Sequence, residues 1–311
     1  MTSGAIRFGV QAGLGASAEE WLDLAVKVED LGFDALYVAD HVGVTPSPFT
    51  TLAAIAAVTT TLRLGTYVIN CGVWDPCALA SEAATLDVLS EGRVVLGLGA
   101  GHTPSEWTMS GLAYPSAADR VARLVEMVDV VTALLRGEVV TLHGRCLNLV
   151  AASLVSPRPV QAQIPLVIGG NGTRVLGLAG RSADIVGLTG LGRTLADGHR
   201  HDVDWSPAAI DERVAVVRAA ATERDAAPVL DALVQYVEIT DDRRAAAENC
   251  AQLIAGSTAS DVLGAPYTLI GTIDQLAEEL EGHRERWGIS SYVVRADAID
   301  HIAPLVELLR S

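Results

Sequence analysis

Apolar positions along this chain fall into two alternating rhythms. Short, mainly apolar runs at residues 6–11, 35–41, 62–69 and 94–101 read as strands, as in a parallel sheet. Between them, residues 18–31, 79–89 and 117–135 place apolar side chains at helical spacing, one stripe per segment. The alternation continues with strands at 166–169, 185–190, 233–239 and 292–295, and with helices at 173–181 and 299–310. Eight strands alternating with helices predict an α/β fold, a (β/α)8 TIM barrel, with insertions after several strands. Three segments exceed ordinary connections, near 137–164, 191–206 and 241–288. After barrel strands such segments wall or cover the active face. Ser156-Pro157-Arg158-Pro159 reads as a rigid connector, and no repeat or low-complexity linker demands a second domain, so 1–311 is expected to be a single barrel domain.

Composition agrees with that outline and narrows the partners. Half of the 311 residues are hydrophobic and 19% are charged, enough for a large core and too little for disorder. A formal charge of −16, without a basic run, disfavours nucleic acid and anionic membranes. The four cysteines are scattered, the opening MTSGAIRFGVQ enters a strand directly, and no apolar run is long enough for a membrane span. A cytoplasmic protein with reduced thiols is expected.

The candidate chemistry gathers at predicted strand ends, which in a parallel barrel converge on one mouth. Asp40 and His41 end the second strand, Asn70 and Cys71 follow the third, His102 the fourth, Gly169 to Gly172 the fifth, and Thr189 and Gly190 the sixth. The densest stretch is EAATLDVLSEGRVVLGLGAGH, residues 82–102. Its Gly97, Gly99 and Gly101 thin a strand end and are expected to let a flat ligand approach the backbone. The G-x-G-x-G-H spacing is not the dinucleotide fingerprint, whose third glycine comes later and is followed by a distant acidic residue. In GGNGTR, Gly169, Gly170, Asn171 and Gly172 link a strand to a helix N-terminus, where free amides suit a phosphate and Arg174 stands close by. His199 and His201 form an H-x-H in a polar insertion. Without a clear third ligand, no metal is assigned. Trp107, Trp205 and Trp287 are pocket-lining or core residues, the core being the commoner fate.

With GTYVIN at 65–70, RVARLVEMVDVV at 120–131 and LIGTIDQLAEELEGHRERWGISSYVV at 269–294, the signature stretch resembles the luciferase-like monooxygenase superfamily. The similarity is to its deazaflavin (coenzyme F-420, an 8-hydroxy-5-deazaflavin) dependent branch. That resemblance implies His41 near the reactive edge of the cofactor, with Asp40 bonding a backbone amide or positioning it. It implies a bulge with a non-proline cis peptide between Tyr67 and Val68 behind the ring, Asn70 at the pyrimidine edge, and Gly101 in the same wall. It also implies a phosphate on Gly169, Gly170, Asn171 and Gly172. Position 102 departs from relatives that carry glutamate there, so His102 becomes the candidate proton donor or orienting group, with Glu106 second. Leu191 stands where the sugar-phosphate dehydrogenases have lysine, which disfavours a sugar phosphate. The expected function is hydride exchange between reduced coenzyme F-420 and a small organic substrate carrying C=C, C=N or C=O, in a homodimer. An FMN-dependent monooxygenase and a non-catalytic cofactor-binding barrel remain the alternatives.

Overall fold

The computed structural model describes residues 5–13, 17–192, 194–195, 201–254 and 256–310. In chain order the strands are β1 (Arg7–Ala12), β2 (Ala35–Val38), β3 (Arg63–Thr66), β4 (Ile69–Asn70), β5 (Val94–Gly99), β6 (Val140–His143), β7 (Asn148–Ala152), β8 (Leu166–Gly170), β9 (Ile185–Leu188), β10 (Val229–Leu233), β11 (Tyr236–Ile239), β12 (Thr268–Gly271) and β13 (Ile289–Arg295). The helices are α1 (Ala18–Asp30), α2 (Pro48–Ala56), α3 (Pro76–Leu89), α4 (Pro104–Met109), α5 (Ala117–Leu135), α6 (Thr173–Ser182), α7 (Pro207–Ala220), α8 (Arg243–Leu253), α9 (Ala259–Gly264), α10 (Ile273–Trp287) and α11 (Ile299–Arg310). Hydrogen bonding orders the main sheet β3-β2-β1-β13-β10-β9-β8-β5-β4, and β3 also pairs with β5. Counting β3 and β4 as one interrupted strand, this is the strand order of a (β/α)8 barrel.

Two compact units share the chain. One comprises Met1–Gln11, Lys27–Ala35 and Gly169–Ser311; within it β1, β13, β10 and β9 are parallel neighbours, Gln11 in register with Arg295 and Ala232 with both Tyr292 and Leu188. The other comprises Ala12–Val26 and Leu36–Ile168, where β5 pairs in parallel with β3, with β4 and with the start of β8. Local sequence explains the helix ends. Asp75 accepts hydrogen bonds from the Cys77 and Ala78 amides ahead of Pro76, Thr272 and Gln275 form a capping box on α10, and Gly288 ends α10 in the left-handed region (φ 76°).

The signature stretch does structural work in the second unit. Asp87 is fully buried, and its carboxylate accepts the Val160 amide (2.8 Å), the Gln161 amide (3.0 Å) and Gln161 Nε2 (2.7 Å). Arg93 donates to Thr59 Oγ1 and to the Ser90, Leu62 and Ala56 carbonyls, tying α2 to the start of β5. A polar side chain as deeply buried as Asp87 is tolerated only when its hydrogen-bonding sites are used.

The expected strand at 233–239 is displaced. The barrel strand is β10, and the following β11 pairs with β12 in a separate two-stranded sheet. Buried Asp231 interrupts the apolar run of β10, which moved the pattern to the cleaner YVEI beside it. The 137–164 segment holds the antiparallel β6–β7 hairpin, and 241–288 holds α8, α9, β12 and α10.

Candidate active site

In the second unit the C-terminal ends of β2, β4 and β5 bring together four of the expected residues. Glu106 reaches the group from α4, one helical turn beyond His102. His41 Nδ1 lies 2.7 Å from Glu106 Oε1, and Asn70 Nδ2 donates to Glu106 Oε2. An ionised carboxylate only accepts, so the Nδ1–H tautomer or the imidazolium of His41 is selected. The imidazole of His102 meets that of His41 edge to face, centroids 5.7 Å apart. The Glu106 side chain is 3% exposed and that of His41 38%, so the pair has a buried anion and an accessible imidazole.

Two carboxylates in this corner are pushed in opposite directions. Burial raises Glu106, but hydrogen bonds from His41 and Asn70, together with the nearby His41 and His102 charges, outweigh it and leave its pKa below the ordinary value. Burial dominates at Asp40 and holds its pKa above the ordinary value, although its Oδ2 accepts the Asn70 amide (3.0 Å) and Trp74 Nε1 (2.9 Å). Asp40 thus bonds a backbone amide, one of its two expected roles. Asn70 Oδ1 accepts the Gly72 amide at 2.9 Å, so both ends of this side chain are engaged in holding Glu106 and the loop after β4.

The peptide between Tyr67 and Val68 is cis, at the interruption between β3 and β4. Val68 fills the space beside the glycines. A methyl group on Gly99 would stand 2.5 Å from Val68 Cγ2, and one on Gly97 would collide with the Thr66 carbonyl. Gly101, at φ 73°, backs onto Asn70 and Trp107. The missing side chains therefore admit neighbouring protein atoms, a correction to the expectation that they thin the strand for a flat ligand. Tyr67 is buried edge-on to Tyr37.

Supporting contacts escaped the sequence reading. Arg120 Nε donates to the Gly101 carbonyl (2.9 Å) with its guanidinium over Tyr114, whose hydroxyl donates to the His102 carbonyl (3.0 Å). Arg123 donates to the Cys71 and Trp74 carbonyls. The i, i+3 spacing of Arg120 and Arg123 on a polar stripe of α5 was the available signal. Trp107 is core.

The remaining candidates lie in the first unit. Gly169 and Gly170 end β8, and Gly172 caps α6 without a side-chain hydrogen bond. The first turn of α6 carries no acidic residue, and a side chain on Gly172 would meet nothing within 4 Å. That arrangement fits an anion at the helix N-terminus. Asn171 Oδ1 is buried without a hydrogen-bond partner, an acceptor suited to a ligand hydroxyl or N–H. Arg174 is exposed. The Thr189 carbonyl accepts Gln235 Nε2, and Gly190 (φ 67°) has its α-carbon against the Tyr267 ring and its carbonyl on Trp205 Nε1. Trp205 and Trp287 are core residues. His201 Nδ1 lies 3.2 Å from the Gly192 carbonyl, whereas His199 falls outside the described residues.

Over residues 2–299 the sequence matches the luciferase-like monooxygenase family. The chain belongs to that family. An F420-dependent glucose-6-phosphate dehydrogenase of Nakamurella multipartita is 36% identical over 197 residues, 59% of this chain and 56% of the relative, so the match spans little more than half of that protein. Among solved structures, the coenzyme F420-dependent tetrahydromethanopterin reductase of Methanopyrus kandleri superposes with TM-score 0.76 at 20% identity, covering 98% of this chain and 99% of the other. A long-chain alkane monooxygenase superposes with TM-score 0.77 at 16% identity, covering 99% and 92%. Likeness at these identities establishes the (β/α)8 barrel fold of the family for this chain. Among the described residues no helix is long and apolar enough to cross a membrane.

Proposed function

We propose that this family member is an oxidoreductase that uses coenzyme F-420 to exchange a hydride with a small organic substrate carrying C=C, C=N or C=O. The observation that carries the reading is the His41–Glu106 pair, an accessible imidazole on a buried carboxylate at strand ends of a luciferase-like barrel. Relatives named for F420 at about one-third identity favour the deazaflavin over FMN. When bound, the deazaflavin supplies a carbon centre that carries two electrons as hydride.

The chain supplies anchoring and proton handling. Within the first unit, Gly169, Gly170, Asn171 and Gly172 would hold a cofactor phosphate on the α6 N-terminus, and within the second, Tyr67, Val68 and Gly101 are candidates for the wall of a cofactor ring. Glu106, kept ionised, orients His41 through Nδ1, and the His41 imidazole gives or takes the proton that balances hydride transfer. His102, against His41, orients the substrate or shares that proton. Asp40 and Asn70 act behind them, fixing Glu106 and the loop after β4.

Equilibrium titration of the protein with F-420 and with FMN, followed by substrate-dependent absorbance changes, tests this reading. Tight F-420 binding and turnover lost in His41→Ala are expected. Tight FMN binding with negligible F-420 affinity makes the chain an FMN-dependent monooxygenase candidate, and binding without any turnover makes it a cofactor-binding barrel. A cytoplasmic homodimer through outer helices belongs to the same proposal, supported by the exposed Val88 and Leu89 on α3. A monomer by light scattering across the micromolar range refutes the dimer.

A further inference from the structure

Around the His41–Glu106 pair, the loops of the second unit expose apolar side chains and almost no charge. Val44, in the turn that follows His41, is 67% exposed. Met109, one helical turn beyond Glu106 on α4, is 63% exposed, and Leu112, just past the end of α4, is 46%. Val44 and Met109 stand on touching segments. The Met109 methyl occupies the place where a β-carbon on Gly43 would stand, and Gly43, at φ 78°, leaves that place open. The Val44 and Thr45 amides each donate to the His41 carbonyl at 2.9 Å, and the Leu112 amide donates to the Trp107 carbonyl at 2.8 Å. The turns that carry the accessible imidazole and its buried carboxylate therefore also fix these apolar side chains.

Asp, Glu, Lys and Arg make up 19% of the chain, yet residues 41–47, 71–74 and 100–116 hold a single one, Glu106, whose side chain is buried on His41 and Asn70. Arg120 and Arg123 reach the same loops from α5, and they donate to the carbonyls of Gly101, Pro115, Cys71 and Trp74. One exposed valine or leucine is ordinary on a protein surface. Three on the turns around a candidate proton-transfer group form a surface that is stabilised by being covered, and these loops offer a ligand's charge only the two histidines. Met109 adds an unbranched, polarisable side chain that adapts to apolar ligands of different shape.

We propose that Val44, Met109 and Leu112 seat an uncharged hydrocarbon part of the substrate, so that the substrate class is lipophilic carbonyl or unsaturated compounds rather than ions. The assignment to the substrate rests on the oxidoreductase reading above. The binding of an apolar, uncharged ligand to these side chains does not. The chain has three methionines, Met1, Met109 and the buried Met127, so isotopic labelling of methionine methyls places an NMR probe in the patch, assigned with Met109→Leu. The full chain is titrated with 2-butanone, 2-hexanone and 2-octanone, and with octanoate as an ion of equal chain length, with and without saturating F-420. The ketones are expected to shift the Met109 methyl in at least one condition, with affinity rising about tenfold from 2-hexanone to 2-octanone as two methylenes are buried. Octanoate is expected to bind about tenfold more weakly than 2-octanone, because its charge finds no paired site. Val44→Ser and Met109→Gln should each weaken 2-octanone by about threefold or more. No ketone shift in either condition overturns the proposal, as do affinity independent of chain length, octanoate binding as tightly as 2-octanone, and wild-type affinity in both variants. A Met109 resonance that moves on dilution of the protein alone also overturns it, because a second copy then covers the patch. The wild-type titrations decide the matter even if a variant fails to fold. Failure of F-420 to bind counts against the oxidoreductase reading alone, because the titration without cofactor still reports on Met109.

Discussion

The coupling between His41 and Glu106 is open to direct measurement by a double-mutant cycle of wild type, His41→Ala, Glu106→Gln and the double variant. Fully exposed ion pairs contribute about 0–1 kcal/mol, and hydrogen bonds to charged groups about 1.5–3 kcal/mol. With a carboxylate side chain 3% exposed and an imidazole 38% exposed, this pair lies between those limits, and solvent screening of His41 discounts the upper one. The expected coupling is about 1–2 kcal/mol, read from urea unfolding at pH 7. The pH dependence has a definite sign. Glu106 has a folded pKa below its unfolded value, so its contribution is present above the unfolded carboxylate range and is lost as pH falls through the folded pKa. The coupling should therefore hold at pH 6–7 and shrink well below pH 4. A cycle giving less than about 0.3 kcal/mol at pH 7, or a coupling unchanged at low pH, refutes the picture of an ionised Glu106 orienting His41.

Gly99→Ala should destabilise by about 1–3 kcal/mol, the usual cost of forcing atoms into a filled core, because the new methyl stands 2.5 Å from Val68 Cγ2; an unchanged urea midpoint contradicts this role for the glycine. Asp87→Ala strips three donors of their buried acceptor and should cost at least about 3 kcal/mol, whereas a surface-like loss below 0.5 kcal/mol contradicts the lock on residues 160–161. Burial pushes the His283 imidazole down to about 4, so stability should decline as pH falls from the ordinary histidine range toward 4, and His283→Gln should flatten that decline in pH-dependent unfolding. Cys71, buried and pushed up to about 12, and buried Cys250, at about 11, should resist iodoacetamide in the native protein and react on unfolding. Mass spectrometry that finds either labelled before Cys77 or Cys146 contradicts their burial.

Local order was legible in the sequence wherever one short-range pattern dominated. The apolar stripe of α5 predicted residues 117–135 to the residue, and the runs of β1, β5 and β8 announced themselves because a strand buried on both faces needs mostly apolar side chains. His41, Asn70 and His102 could be placed at strand ends for the same reason. Tertiary structure decided the rest. Glu106 looked equally like a surface carboxylate, and its burial against His41 and Asn70 depends on how the short α4 folds back over β4, a contact between residues 36 positions apart. The glycines of the signature stretch serve Val68, Thr66 and Trp107 rather than open space, which no spacing rule reveals. Asp231 disguised β10, since a buried polar residue breaks the pattern a strand is recognised by. Periodicity carries information over one or two turns or strand lengths, whereas the charge, burial and partners of a site residue are set by segments distant in sequence.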